Sequence, residues 1–541
     1  MTSASLATRT GEAGTGATGF RLRQRYDGAT LPVAVAGVVS AALSAVVLLL
    51  PPTGTDLAAQ VARADFWSAH GAALVDLRWY GGVHPAAYSV LAPALMASLG
   101  VRLAGAVATV AGAVGLAVLL TRIRGVRPVA GATWGALALV ANLVSGRVTF
   151  GLGTAAGLAA VLALTPHPPT PTRRLLLAGL LAVLTSLLSP VAGLFLALAA
   201  VALAIAGRRG DGLCLLLGAA VPLLALQAAF PDGGRMPFAW RVAWPPLVAG
   251  VVIAGVRAVG RPVRIGAALY AGGVLAAFLL PTPLGSNVER LGLIFAGPVV
   301  LAVARWPQTV LVPVLALTAY WQAAPGIADL RYGGDPAADP AYSAGLVAEL
   351  HRLGAQTGRV EVVPQRNHWE SVMVARDFWL ARGWERQVDV ARNPIFYRDQ
   401  LEPAAYHSWL QGTGVGYVAL ADVAVDWSAT QEAALVGGGQ PWLRPVWADA
   451  HWRLWRVLDP SPLVGAPGRV LATRADGLTV AMPSAASVLL RLRWSPWLAI
   501  RGPAGCLAPS GDWVTLRASA PGTYLIGAGV GSVAAGSRAC S

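Results

Sequence analysis

The sequence predicts a polytopic α-helical membrane domain of about eleven transmembrane helices, followed by a C-terminal extracytoplasmic domain of α/β plus β-sandwich character. Three observations predict it. Apolar stretches of membrane-spanning length recur through residues 31–324, and arginines gather on one side of the gaps between them. Beyond residue 324 the pattern gives way to a polar half that holds 12 of the 19 tryptophans. The 541 residues are 12% charged and 55% hydrophobic, whereas soluble chains are about a quarter charged. All 41 cationic residues are arginine, and Ala, Gly, Val and Leu abound, as in a GC-rich bacterial genome.

The net charge of +15 is unevenly placed. Residues 1–324 hold 22 Arg against 8 acids, a net of +14; residues 325–541 hold 19 against 18, a net of +1. The excess belongs to the membrane half, where it fits topology and contact with membrane lipids. That location argues against a nucleic-acid groove.

Residues 1–30 form a polar tail with Arg9, Arg21, Arg23 and Arg25. Residues 31–50 give the first span, about 30 Å long as a helix. Pro51-Pro52 follows where a cleavage site would need small residues, so this segment is retained. The positive-inside rule puts the N-terminus in the cytoplasm. Further spans fall at 103–120, 130–145, 149–164, 175–188, 190–206, 213–230, 244–256, 265–281, 291–304 and 307–323. Alternating sides then leave 15 arginines inside, including Arg122, Arg124 and Arg127, and six well within outside loops. This places the C-terminal half outside a bacterial plasma membrane. Residues 85–99 are apolar but short and read as an interfacial or re-entrant helix; the alternative is a true span with a later one failing to cross. Gly153 and Gly157 form a small-xxx-small pair, a sign of close helix packing.

Within the outer half, residues 325–459 alternate helices (341–353, 403–410) with strands (359–364, 415–420, 452–458), an α/β pattern. From residue 460 to 541 short strands dominate (470–472, 478–481, 487–494, 513–518, 523–526), as in a small β-sandwich. Cys506 and Cys540 lie here and either pair in an oxidising compartment or leave a frayed tail; Cys214 sits in an apolar span as packing. The His and Cys residues show no zinc spacing, and no G-x-S-x-G elbow stands out in the outer domain.

The long first outer loop, 51–86, carries the polar residues of most interest. Residues 57–69 have helical character, with Asp56 at the start. Asp56 could cap that helix or act as a general base, and spacing does not choose. Arg63 follows in the same segment. Tyr80 and His84 flank Gly81-Gly82, a turn that allows close backbone approach. His84 suits either a phosphate or sugar contact or an interfacial position. Facing the same side are Arg147 and the compact loop 285–290, with Asn287, Glu289 and Arg290. Arg290 is either an anion ligand or a snorkelling side chain paired to Glu289. In the outer domain Arg366, Asn367, His368, Trp369 and Glu370 form the densest polar cluster, an acceptor cleft or an ordinary loop.

Asp56 just after the first span, the run His84-Pro85-Ala86-Ala87-Tyr88, the many spans and the outer domain resemble the GT-C superfamily of polytopic glycosyltransferases. Residues 490–502, LRLRWSPWLAIRG, also resemble outer domains of bacterial multi-pass proteins assigned to that group. The resemblance implies a bacterial, actinobacterial-type GT-C-like enzyme using a polyprenyl-phosphate-linked sugar. It implies transfer to a glycan, glycolipid or protein acceptor of the cell envelope. Asp56 would be the catalytic base, and the donor and acceptor would be held by Arg63, Tyr80, His84, Arg147, Asn287, Glu289, Arg290, His368 and Glu370. The family's acidic site is often a pair of acids. Asp56 has no acidic neighbour in sequence, which leaves a divalent metal cofactor open. Two other functions compete. A transporter or lipid flippase would place polar residues within spans, which are sparse here. A non-catalytic membrane scaffold would simply display the outer domain.

Overall fold

The structure, a computed structural model, describes residues 16–123, 126–165, 170–528 and 540, with side chains from Thr30 onward. Arg9, Arg124 and the side chains of Arg21, Arg23 and Arg25 lie outside the described residues.

Helix α1 (Gly16–Leu49) leads into three short helices, α2 (Leu57–His70), α3 (Pro85–Tyr88) and α4 (Ala92–Leu99). The bundle continues with α5 (Val101–Arg122), α6 (Pro128–Val144), α7 (Val148–Ala163), α8 (Pro171–Leu188), α9 (Pro190–Ile205) and α10 (Arg209–Ala229). It ends with α11 (Trp240–Gly255), α12 (Arg261–Leu279), α13 (Glu289–Val303) and α14 (Gln308–Arg331). Among the described residues seven helices are long and apolar enough to cross a membrane: Thr30–Leu49 of α1, α5, α8, α10, α12, Gly285–Val303 and α14. The apolar helices α6, α7, α9 and α11 are shorter. At 16 or 17 residues they reach about 24 Å, less than the ~30 Å of hydrocarbon. The eleven helices coincide with the eleven apolar stretches of the sequence.

Small residues set the packing. A Cβ on Gly153 would lie 2.5 Å from Ser189 Cβ and 2.7 Å from Ala192 Cβ, so α7 presses on the α8–α9 junction. Residues 85–99 break into α3 and α4, because the Val90 and Leu91 N–H groups both donate to the Leu187 carbonyl. Neither piece is long enough to span. Helix α14 carries Pro313 and Pro325 within it and runs on to Arg331, past the hydropathy edge at residue 324.

The outer half begins with α15 (Pro340–Arg352), α16 (Glu370–Met373), α17 (Arg386–Arg392), α18 (Pro403–Thr413) and α19 (Thr430–Gly437) around a four-stranded sheet. Its strands are β1 (Arg359–Val362), β2 (Val415–Ala421), β3 (Leu443–Ala448) and β4 (Trp452–Val457), in the order β1-β2-β4-β3. β1 and β2 run parallel and the other pairs antiparallel. Seven strands follow: β5 (Arg469–Arg474), β6 (Gly477–Met482), β7 (Ala486–Leu490), β8 (Ala499–Arg501), β9 (Gly505–Ser510), β10 (Trp513–Ala518) and β11 (Gly522–Gly527). They form two antiparallel sheets, β7-β10-β9 and β5-β6-β11-β8. Alternate residues such as Val480, Leu490, Leu516, Tyr524 and Ile526 point into their shared core. Cys506 and Cys540 form a disulfide.

The first outer loop ties these parts together. Leu74 and Leu77 donate backbone hydrogen bonds to Ala528 and Ala475, while Arg78 accepts one from Leu380. Val75 and Leu77 enter the sandwich core; Trp79 and Tyr80 enter the α/β core. Trp79 packs directly on Gly383, where a Cβ would lie 2.3 Å from its Cγ, and its indole donates to the Ser371 carbonyl. Gly383→Ala should therefore destabilise the full chain by about 3 kcal/mol, the upper range for overpacking. Gly412→Ala, in open space on α18, should not. Denaturation midpoints of the two variants check this.

Candidate functional site

Asp56 is positioned by a tight turn against the α6–α7 connection. The Thr53 hydroxyl donates to the Val144 carbonyl at 3.0 Å. Gly146 (φ 73°) meets the start of α2 so closely that a Cβ there would lie 2.5 Å from the Leu57 nitrogen. On the other side the Trp384 indole donates to the Thr55 carbonyl at 2.7 Å. Asp56 itself sits at φ −83°, ψ −11°, a helical rather than an extended conformation, and its side chain makes no capping bond. The capping alternative is thereby corrected. The carboxylate turns instead to Arg290 Nη2 at 3.2 Å and Arg147 Nε at 3.4 Å. Arg147 directly precedes α7 and Arg290 is in the first turn of α13, so two separate helix starts converge on one acid.

Asp56 and Arg290 share the wall of a cavity of about 500 Å³. Arg63, Tyr88, Gln227, Asp232 and Asn287 also line it, and Trp384, Glu385, Arg386 and Gln387 roof it from the outer domain. Two of its apolar lining residues, Leu194 and Leu224, are 44% and 69% exposed, so the cavity reaches the outer surface of the bundle. A second cavity of about 350 Å³ lies between α5, α7, α9, α11, α12 and α13, with almost wholly apolar walls. The two meet at Phe150, whose ring lies 5.6 Å from the Arg290 guanidinium.

The structure gathers some of the sequence candidates and separates others. Arg63 lines the polar cavity, stacks 3.6 Å from the Tyr88 ring centroid and donates to Glu385 at 2.9 Å. Burial pushes the Glu385 carboxyl up, against the pull of Arg63. Asn287 and Arg290 line the same cavity, and Glu289 lies in the field of both Arg147 and Arg290. Tyr80 does not line it; its hydroxyl donates to the Gly383 carbonyl at 2.7 Å. His84 is also elsewhere: Nδ1 meets Asp232 at 2.7 Å and Nε2 meets the Ser495 hydroxyl at 2.9 Å. That bond order matches a Ser-His-Asp triad, yet Ser495 and His84 are only 2% and 8% exposed. The Ser495 oxygen also accepts the Trp497 N–H, so the trio acts as a tie between loop, bundle and sandwich.

His368 and Glu370 are buried inside the outer domain rather than facing an open cleft. His368 (φ 58°) stacks on Trp384 at 3.5 Å and contacts Glu370 at 3.2 Å and Asp426 at 3.5 Å. Arg386 grips Asp426 through two bonds of 2.9 and 2.7 Å. These charges pair one another, which is why a dense polar run here is interior. Sequence reasoning missed Glu385, Asp232 and Trp384 because each is far in the chain from Asp56 and belongs to no motif.

The resemblance left a divalent metal open. Two guanidinium groups already face Asp56, and among the described residues no three His, Cys, Asp or Glu side chains gather as a ligand set. A carboxylate already held by two guanidinium groups, with no ligand set beside it, does not fit a metal ion.

A family model described as a domain of unknown function (DUF8823) matches residues 465–540. No curated protein matches the chain. Among solved structures, the arabinofuranosyltransferase AftD from mycobacteria is similar, at 17% identity and a TM-score of 0.44, over 84% of this chain and 41% of that one. The chain thus spans about two fifths of that protein's length.

The His368 cluster has a pH signature. Burial works against the imidazolium, but Asp426 and Glu370 outweigh it and raise the His368 pKa above 6.5. A raised folded-state value means the stabilisation is fully present below the unfolded pKa and is lost as pH rises through the folded one. The melting temperature should therefore fall as pH rises above 6.5, and His368→Asn should flatten that slope.

Proposed function

We propose that this protein is a GT-C-type membrane glycosyltransferase. It transfers a sugar from a polyprenyl-phosphate donor to a cell-envelope acceptor on the extracytoplasmic face. The observation that carries this reading is the shared wall: Asp56 and Arg290, 3.2 Å apart, face one cavity whose wall joins charged groups to apolar side chains and which meets a nearly wholly apolar chamber at Phe150. A lipid-linked sugar has the same division, a charged head on a hydrocarbon tail. The arginine count of the loops supports an outer site, as does the Cys506–Cys540 disulfide, a bond that persists in oxidising compartments.

In this reading the prenyl chain lies in the apolar chamber and its phosphate is bound by Arg290, with Asn287 beside it. The acceptor enters beneath Trp384 and Glu385. Asp56 takes the proton of the acceptor hydroxyl, and the acceptor oxygen forms a bond to the anomeric carbon. The bond from that carbon to the phosphate oxygen breaks, and the electron pair leaves with polyprenyl phosphate. Arg290 stabilises the charge that develops on the leaving group. Arg63, held by Glu385 and Tyr88, shapes the acceptor side.

Asp56→Asn should abolish transfer by the full-length protein while leaving its melting temperature unchanged. Arg290→Gln should weaken binding of a short prenyl phosphate about 10- to 100-fold, the loss of one charge-assisted contact. Purified protein assayed with polyprenyl-phosphate sugars extracted from membranes checks both, and full transfer by the Asn variant removes Asp56 from the mechanism.

A further inference from the structure

The outer domain reaches the backbone beside Asp56 through Trp384. The Trp384 indole N–H donates to the Thr55 carbonyl at 2.7 Å, and Thr55 directly precedes the acid. The bundle holds the same short segment. The Thr53 hydroxyl donates to the Val144 carbonyl at 3.0 Å. Gly54 (φ 92°) approaches the α6–α7 turn so closely that a Cβ would lie 2.3 Å from the Ser145 carbonyl carbon. The Leu57 N–H donates back to the Gly54 carbonyl at 3.2 Å. Asp56 makes no capping bond of its own. The aim of its carboxylate therefore depends on this turn and on the two arginines it meets.

Trp384 is itself held in place. The His368 ring stacks on it, 3.5 Å between centroids and 12° from parallel. The Arg386 guanidinium lies over it at 4.8 Å. Both groups are tied to one carboxylate: Asp426 lies 3.5 Å from His368 Nε2 and 2.7 Å from Arg386 Nη2. Glu370 meets His368 on its other ring nitrogen at 3.2 Å. All four of these polar residues are buried. A continuous chain of contacts thus runs from Asp426 through His368 and Arg386 to Trp384. From Trp384 it passes to the backbone beside Asp56, within the wall of one cavity that Asp56 and Trp384 both line.

We propose that Trp384 is a positioning residue for the transfer reaction, a role that rests on the function proposed above. Its indole N–H fixes the Thr55 carbonyl and with it the start of α2, so that the Asp56 carboxylate keeps its place beside Arg290. The bundle supplies the base, and the outer domain sets its aim. Trp384 acts through Asp56 and leaves the phosphate contact to Arg290. Loss of the N–H therefore costs turnover and spares binding of the lipid phosphate. A reacting group displaced by about 1 Å can lose about 100-fold in rate.

The test uses the full-length protein in nanodiscs. Farnesyl phosphate is the binding probe; polyprenyl-phosphate sugars and envelope glycans extracted from the same cells measure turnover. Trp384→benzothienylalanine keeps the ring shape and removes the N–H. It should lower kcat about tenfold, with farnesyl phosphate affinity and the KM for the donor changed by less than about twofold. Its melting temperature should match wild type. Trp384→fluorotryptophan, which keeps the N–H, should rescue turnover. His368→Gln removes the stacked ring and should slow the wild type, but it should change the benzothienylalanine variant by less than about twofold, since coupled residues are non-additive. A benzothienylalanine variant with wild-type turnover overturns the proposal, as do additive losses with His368→Gln. So does a variant whose affinity or KM moves as far as its kcat, which makes Trp384 a ligand contact, or one that loses turnover and melting temperature together. Wild-type protein that binds no farnesyl phosphate and transfers nothing overturns the glycosyltransferase reading itself, whereas active wild type with an unaffected benzothienylalanine variant removes only Trp384.

Discussion

The Arg78 guanidinium, buried between α2 and the strand-like turn that follows it, sets the geometry on which the outer face depends. It donates to both oxygens of Asp76 and to the Ala62 carbonyl, and it lies over the Phe66 ring. Such a pair costs much to desolvate and is strongly destabilising to break. Its effect is to lock α2 to the loop at residues 71–84. That loop is in turn gripped by the α/β sheet and by the sandwich. The start of α2 carries Asp56, so the outer domain and the bundle reach the acid through one rigid segment.

The charges around Asp56 follow from that rigidity. In hydrocarbon or beneath a packed domain, an isolated carboxylate would be neutralised by protonation. Here two arginines answer it from two separate helix starts. The cavity at Asp56, with its charged groups, and the nearly wholly apolar chamber then meet at Phe150. That division is what the proposed lipid-linked donor would use.

Much of the bundle was legible in the sequence, and the reason is physical. A helix that faces hydrocarbon must be apolar along its length, so the seven long apolar helices among the described residues, and the four shorter ones, each appear as an apolar run. Asp56, Arg147 and Arg290 were legible as a set because arginine position and loop side are coupled in membranes. The buried pairing of His368 and Glu370 was not legible, and their run read equally as an acceptor cleft or an ordinary loop, because sequence shows polarity but not pairing; Asp426 and Arg386, which neutralise the cluster, are distant in the chain or in another element. The strands β3, β8 and β9 also escaped notice, being short or edged by Pro and Gly.

Leu194 and Leu224 leave one wall of the polar cavity continuous with the outer surface of the bundle. In the proposed reaction, a donor anchored by its own hydrocarbon tail would arrive there by sliding within a single leaflet, never entering water. Encounter would then be a search in two dimensions, paced by lipid diffusion and by how many carrier molecules the leaflet holds.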